Sequence, residues 1–95
     1  MPLPVTSVEV MFNQRFGRAL RQARMDLGLS QERLAEVAQL DRSYIGEIER
    51  GSVSPSLTTL VKLASALKLP PSVLLRRCEV NAVGATTSTL DGDHP

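Results

Sequence analysis

The sequence predicts an all-α domain of five short helices around one core. Apolar residues recur at helical spacing in five successive segments, and no run shows the period-two alternation of a strand. Each of the later segments is preceded by a good N-cap residue or followed by glycine or proline. The chain has 95 residues, enough for one domain. A chain of that size buries only roughly 60% of its unfolded surface, so the core is modest and a deep substrate pocket is not expected.

The first helix is read over Thr6 to Leu27, where Val8, Phe12, Phe16, Ala19, Leu20, Ala23 and Leu27 fall at helical spacings. Thr6 and Glu9 form a capping-box pattern, and Gly28 is the stop. Gly17 interrupts its middle, and a start at Ser7 or near Asn13 fits equally. Ser30 is the N-cap of a second helix about two turns long, with Leu34, Val37 and Ala38 inward. After "QLD", Asp41 caps a third helix, Arg42 to Arg50, which Gly51 ends. Ile45 and Ile48 fall on one side of it. Ser43, Gly46, Glu47 and Arg50 fall on the other, with Arg42 and Tyr44 on the flanks.

Ser56 caps a fourth helix, Leu57 to Leu67, with Leu57, Leu60, Val61, Ala64 and Leu67 inward. "LKLPPS" breaks it, and a last short helix runs from about Pro71 to Arg77 with Val73, Leu74 and Leu75 as its apolar residues. The expected organisation is a leader or helix extension over residues 1–12, a folded domain over 13–79 and a flexible acidic tail over 80–95. In the tail the composition turns to Ala, Gly, Thr, Ser and Asp.

The net charge of +1 hides a gradient. All 11 Lys/Arg but only 7 of the 10 Asp/Glu lie within 13–79, so that span carries +4, while Asp91 and Asp93 lie in the tail. A mildly basic domain is compatible with a nucleic-acid partner. The single cysteine, Cys78, excludes an internal disulfide, fits a reducing compartment and reads as a small apolar filler beside the last helix. One Cys and one His (His94) cannot make a metal site, so neither metal nor cofactor is expected. The absence of a nucleophile–base pair argues against an enzyme. One Tyr, two Phe and no Trp leave few platforms for stacking single-stranded bases. The N-terminal segment lacks the basic start and long apolar run of a signal peptide, and no uncharged apolar run approaches a membrane span. A cytosolic location is therefore expected.

Two short helices joined by a tight turn have the framework of a helix-turn-helix. The B-DNA major groove is about 12 Å wide and admits one helix, which a second helix across its back holds at a fixed angle. The segments "GLSQERLA", "SYIGEIERG" and "PSLTTLVKLASAL" together resemble the Xre/Cro-type, phage-repressor-like helix-turn-helix family over about Phe16 to Leu75.

That resemblance implies a compact lambda-repressor-like domain that binds double-stranded operator DNA, usually as a symmetric homodimer. It implies a prokaryotic or phage-encoded cytoplasmic regulator: a repressor, an autoregulator or a restriction–modification controller. The helix from Gln31 would position, and the helix from Arg42 would read. Arg42, Ser43 and Glu47 take the groove-facing positions. Arginine can fork onto guanine, serine serves either base type, and glutamate accepts from cytosine N4. Tyr44 beside them could touch a phosphate or a thymine methyl.

Gln31, Arg50, Ser52 and Thr58 are expected at phosphates, because hydroxyls, cations and helix N-termini favour anions there. Arg24 and Glu49 occupy the positions of an ion pair that would fix the angle of the reading helix. Val73, Leu74 and Leu75 are the candidate dimer interface, with Val8 and Met11 of a long first helix contributing. Gly46 either is a tolerated surface glycine or lets the helix approach DNA closely or leaves Arg42 and Arg50 unobstructed. One position departs from the family pattern: the inter-helix turn commonly holds glycine, and here it holds Gln39. A left-handed backbone costs a non-glycine residue about 1–2 kcal/mol. The rival reading is an antitoxin-type interaction module that also binds its own operator and folds its tail onto a protein partner.

Overall fold

A computed structural model of the chain describes residues 7–79. Its five helices are α1 (Ser7–Asp26), α2 (Gln31–Ala38), α3 (Arg42–Glu49), α4 (Leu57–Ala66) and α5 (71–79), with no strand among the described residues. Thr6 of the capping-box pattern and the tail over 80–95 lie outside the described residues.

Local chemistry sets most boundaries. Gly28 ends α1 at φ +71, and the N–H groups of Gly28 and Leu29 return to the carbonyls of Met25 and Arg24. Ser30 Oγ accepts from the Arg33 N–H at 3.0 Å, and Ser56 Oγ accepts from the Thr59 N–H at 3.1 Å, so both serines cap as expected. Asp41 stands at the N-cap of α3, but its side chain makes no capping bond. Its main-chain carbonyl alone accepts, from Tyr44 and Ile45. Gly51 ends α3 at φ +78, and the Ser52 N–H closes back onto the Glu47 carbonyl at 2.9 Å.

Phe16 and Leu20 of α1, Leu34 of α2, Ile45 and Ile48 of α3, Leu63 of α4 and Leu74 of α5 are the largest fully buried side chains. Three residues read as inward are not: Val37 is exposed, Leu57 is 79% exposed and Val61 is 53% exposed. The reason is visible in α4, where Leu57, Leu60, Val61, Leu63, Ala64 and Ala66 spread over roughly 220° of the helix, wider than one buried stripe. Periodicity therefore does not choose between stripes; the buried one is Leu60, Leu63, Ala64 and Leu67. Cys78 is buried beside Leu74, and desolvation pushes its thiol up to about 11.

Gln39 does adopt the left-handed backbone, at φ 60 and ψ 47, and its N–H reaches the carbonyls of Ala35 and Glu36. Gln39→Gly is expected to raise stability by about 0.5–1 kcal/mol. It relieves about 1–2 kcal/mol of left-handed strain and gives back somewhat less in unfolded-chain entropy. The urea midpoint checks it; a lower midpoint would mean that the glutamine side chain compensates its own backbone.

Candidate nucleic-acid interface

At about 100° per residue, Arg42, Gly46, Arg50, Ser43 and Glu47 occupy roughly 140° of arc on α3. Ile45 and Ile48 fill the opposite arc and are fully buried, which turns the polar arc outward. Arg42, Ser43 and Arg50 are exposed and Glu47 is half-buried. Gly46 lies in the middle of this arc, and it is buried. A Cβ placed on it would stand 3.2 Å from Nη1 of Arg50 and 3.9 Å from Oε1 of Gln31. Gly46 is therefore covered by two polar side chains of its own protein, which stands against a close approach of bare backbone to DNA and leaves the reading of unobstructed arginines in place.

The two borders of the arc are pinned. On one border, Arg24 of α1 donates through Nε to Glu49 Oε2 at 2.7 Å and through Nη2 to Oε1 at 3.0 Å. Arg24 Nη1 donates to the Leu29 carbonyl at 2.8 Å, and Gln31 Nε2 donates to Glu49 Oε1 at 3.0 Å. The side chains of Arg24 and Glu49 are 11% and 4% exposed. Hydrogen bonding to Glu49 raises the Arg24 pKa further above its already high ordinary value, so the guanidinium stays charged. One carboxylate thus joins α1, the start of α2 and the end of α3. On the other border, Tyr44 packs against the core, and its hydroxyl lies 3.4 Å from Thr59 Oγ1 of α4. The ring thus lies between the core and α4, half-buried, with its hydroxyl beside Thr59.

The remaining expected contacts are spread around this arc. Gln31 has one amide N–H engaged with Glu49, and the NH₂ group retains a second donor. Arg24, Ser30, Gln31, Glu32 and Arg42 line a polar recess at the start of α2. The recess lies at the N-terminus of α2, the end of a helix that favours anions. Ser52 and Thr58 are exposed, the first after α3 and the second in the first turn of α4.

The candidate dimer residues separate. Leu74 is fully buried within the protomer and is withdrawn from the interface; α5 docks through it. Val73 is half-buried and Leu75 is exposed. Leu75 shares an apolar groove with Val8, Met11 and Phe12 of α1. The expected protein partner of the tail involves residues outside the described range.

Sequence reasoning did not find how the loop after α3 is held. Ser54 Oγ donates to Asn13 Oδ1 at 2.7 Å, and Gly51 lies against the Gln14 backbone, 3.1 Å from its Cα to an ideal Cβ. These partners are about 40 residues apart in sequence, and no local pattern signals them. Thr59, a buried threonine bonded to Ser56, was also unforeseen; its place three residues after a serine cap is the one local hint. Among the described residues no group of His, Cys, Asp or Glu could hold a metal ion, and no helix is long and apolar enough to cross a membrane.

Two short helices crossing at a tight turn, the second with a buried isoleucine edge and an outward polar arc, define a helix-turn-helix domain. The Helix-turn-helix family profile matches residues 20–74, more than half of the chain, and the chain belongs to that family. Control protein C.BamHI of Bacillus amyloliquefaciens is 43% identical over 61 residues, 63% of this chain and 75% of that protein. The immunity repressor protein of Bacillus phage phi105 is 41% identical over 59 residues, 62% of this chain but only 41% of that protein. The crystal structure of the restriction-modification controller protein C.AhdI from Aeromonas hydrophila matches with a TM-score of 0.64 at 48% identity. That match covers 65% of this chain and 94% of the other. The chain thus spans most of these two controller proteins and less than half of the phage repressor. These relatives agree with the Xre/Cro-type resemblance of the sequence.

Proposed function

We propose that this protein is a sequence-specific, double-stranded-DNA-binding transcriptional regulator of the cytoplasm, acting as a repressor or autoregulator on a palindromic operator. The observation that carries the reading is the outward polar arc of α3. It is held on both borders, by Glu49 toward α1 and α2 and by Tyr44 toward α4. A helix so fixed can enter a major groove without losing much orientational freedom on binding. Relatives named as a control protein and an immunity repressor support the regulatory role.

Arg42, Ser43 and Glu47 read bases, and Tyr44 lies beside them. Gln31, Arg50, Ser52 and Thr58 meet phosphates. The protein pairs through Val73, Leu75 and the groove that Leu75 shares with Val8 and Met11 of α1. Two reading helices on one face of the duplex then stand about 34 Å apart.

Selection of bound sites from random duplex DNA tests the function directly, because it reports half-site sequence, spacing and symmetry together. No enriched sequence would overturn it. On the selected site, Arg42→Ala is expected to cost about 1–3 kcal/mol and to relax preference at one base pair. An equal loss on every duplex, with a shallower salt dependence, would reassign Arg42 to a phosphate.

A further inference from the structure

Gly46 sits where an ordinary helix residue would be more stable, in the interior of α3. Its neighbours explain the glycine. Side chains on a helix lean toward its N-terminus, so the side chain four residues on lies back over position 46. That side chain is Arg50, whose Nη1 lies 3.2 Å from the point a Gly46 Cβ would occupy. The next neighbour, at 3.9 Å, is Oε1 of Gln31, whose amide is held by Glu49 and so does not swing aside freely. Apart from its chain neighbours and the backbone of its own helix, nothing else approaches within 4 Å.

We propose that Gly46 is a positioning residue for Arg50. The bare backbone forms a shallow lane across the middle of the reading face. The guanidinium lies in that lane, flanked by Gln31, and is brought from the end of the helix toward its centre. Arg50 is then not a loose charge at the edge of the interface. It is a donor of defined position between Arg42 and Glu47, able to meet a base edge or a phosphate there. Any side chain at 46 lifts the guanidinium out of the lane. Because the atom displaced is the far end of a flexible side chain and not backbone, the fold itself does not suffer.

This inference rests on the DNA-binding reading, and its test separates the two. Affinity for a duplex chosen by random-site selection is measured for the wild type, Gly46→Ala, Arg50→Ala and the double variant, together with the melting temperature of each. Gly46→Ala is expected to weaken binding about fivefold, the scale of one displaced hydrogen bond. Its melting temperature should be unchanged or raised by up to about 5 °C, since alanine is the better helix former. In the Arg50→Ala background the same substitution should leave affinity unchanged. Gly46→Ala binding like the wild type overturns the inference. So does an equal loss with and without Arg50, which would mean that the methyl group itself blocks DNA. A fall in melting temperature also overturns it, because the lane would then be lined by more than flexible ends. A wild type with no preference among duplexes overturns the DNA-binding reading as well.

Discussion

Glu49→Ala is expected to destabilise the protein by about 3–5 kcal/mol, the cost of leaving a buried charge without its partner. The carboxylate takes two bonds from Arg24 and one from Gln31, and the whole cluster is nearly closed to water. Removing it leaves Arg24 charged with only the Leu29 carbonyl to receive it, and strips the amide of Gln31 of its acceptor. A domain of this size has a total stability of roughly 4–10 kcal/mol, so the variant would stand close to unfolding at room temperature. Urea denaturation checks this, with the loss appearing in the midpoint at unchanged slope.

The magnitude also says what kind of pair this is. An exposed ion pair contributes about 0–1 kcal/mol, so a loss in that range would show that water reaches the cluster. Replacing both partners at once, as Arg24→Met with Glu49→Leu, should recover much of the loss, because no unpaired charge is then buried. The recovered fold should still bind DNA less tightly, since Glu49 also ties the end of α3 to the start of α2 through Gln31.

This pair shows how far the sequence could be read. The helices were legible because their ends carry chemistry of their own: Ser30 and Ser56 as caps, Gly28 and Gly51 as left-handed stops. The outward arc of α3 was legible because Ile45 and Ile48 leave only one face for the core. The positions of Arg24 and Glu49 came from family resemblance; a separation of 25 residues has no local signature. What stayed hidden was every choice made by tertiary contact. Gln31 reads as a helix-start residue, and nothing local says that its amide turns to Glu49. Leu74 and Leu75 are adjacent and alike, yet one is core and the other surface, because the short helix α5 has a single edge against the domain. Gly46 was placed on the correct face, but a sequence does not say that Arg50 folds back over it.

Gly17 is the second helix glycine, and there alanine is expected to do harm. A Cβ at Gly17 would stand 2.5 Å from the Ile48 carbonyl oxygen, 2.6 Å from that of Glu49 and 2.9 Å from the Glu49 carbonyl carbon. These are backbone atoms in the last turn of α3, and they cannot rotate away. Either α1 withdraws or the end of α3 moves, and Leu20 and Arg24, on the same face of α1, move with it. Overpacking of this kind costs about 1–3 kcal/mol and occasionally more. Alanine returns about 1 kcal/mol in helix propensity. With contacts this short the clash dominates, so Gly17→Ala is expected to lower stability by about 1–2 kcal/mol net, read as a lower urea midpoint. The same substitution at Gly46 should leave the midpoint equal or higher, because there the obstructing atom is the tip of a mobile arginine. Measured side by side, the two variants separate a glycine kept for helix packing from one kept for a surface. If Gly17→Ala matched the wild type in stability, α1 and α3 would have to stand further apart than these distances allow. The coupling of Arg24 to the end of α3 would then lose its geometric basis.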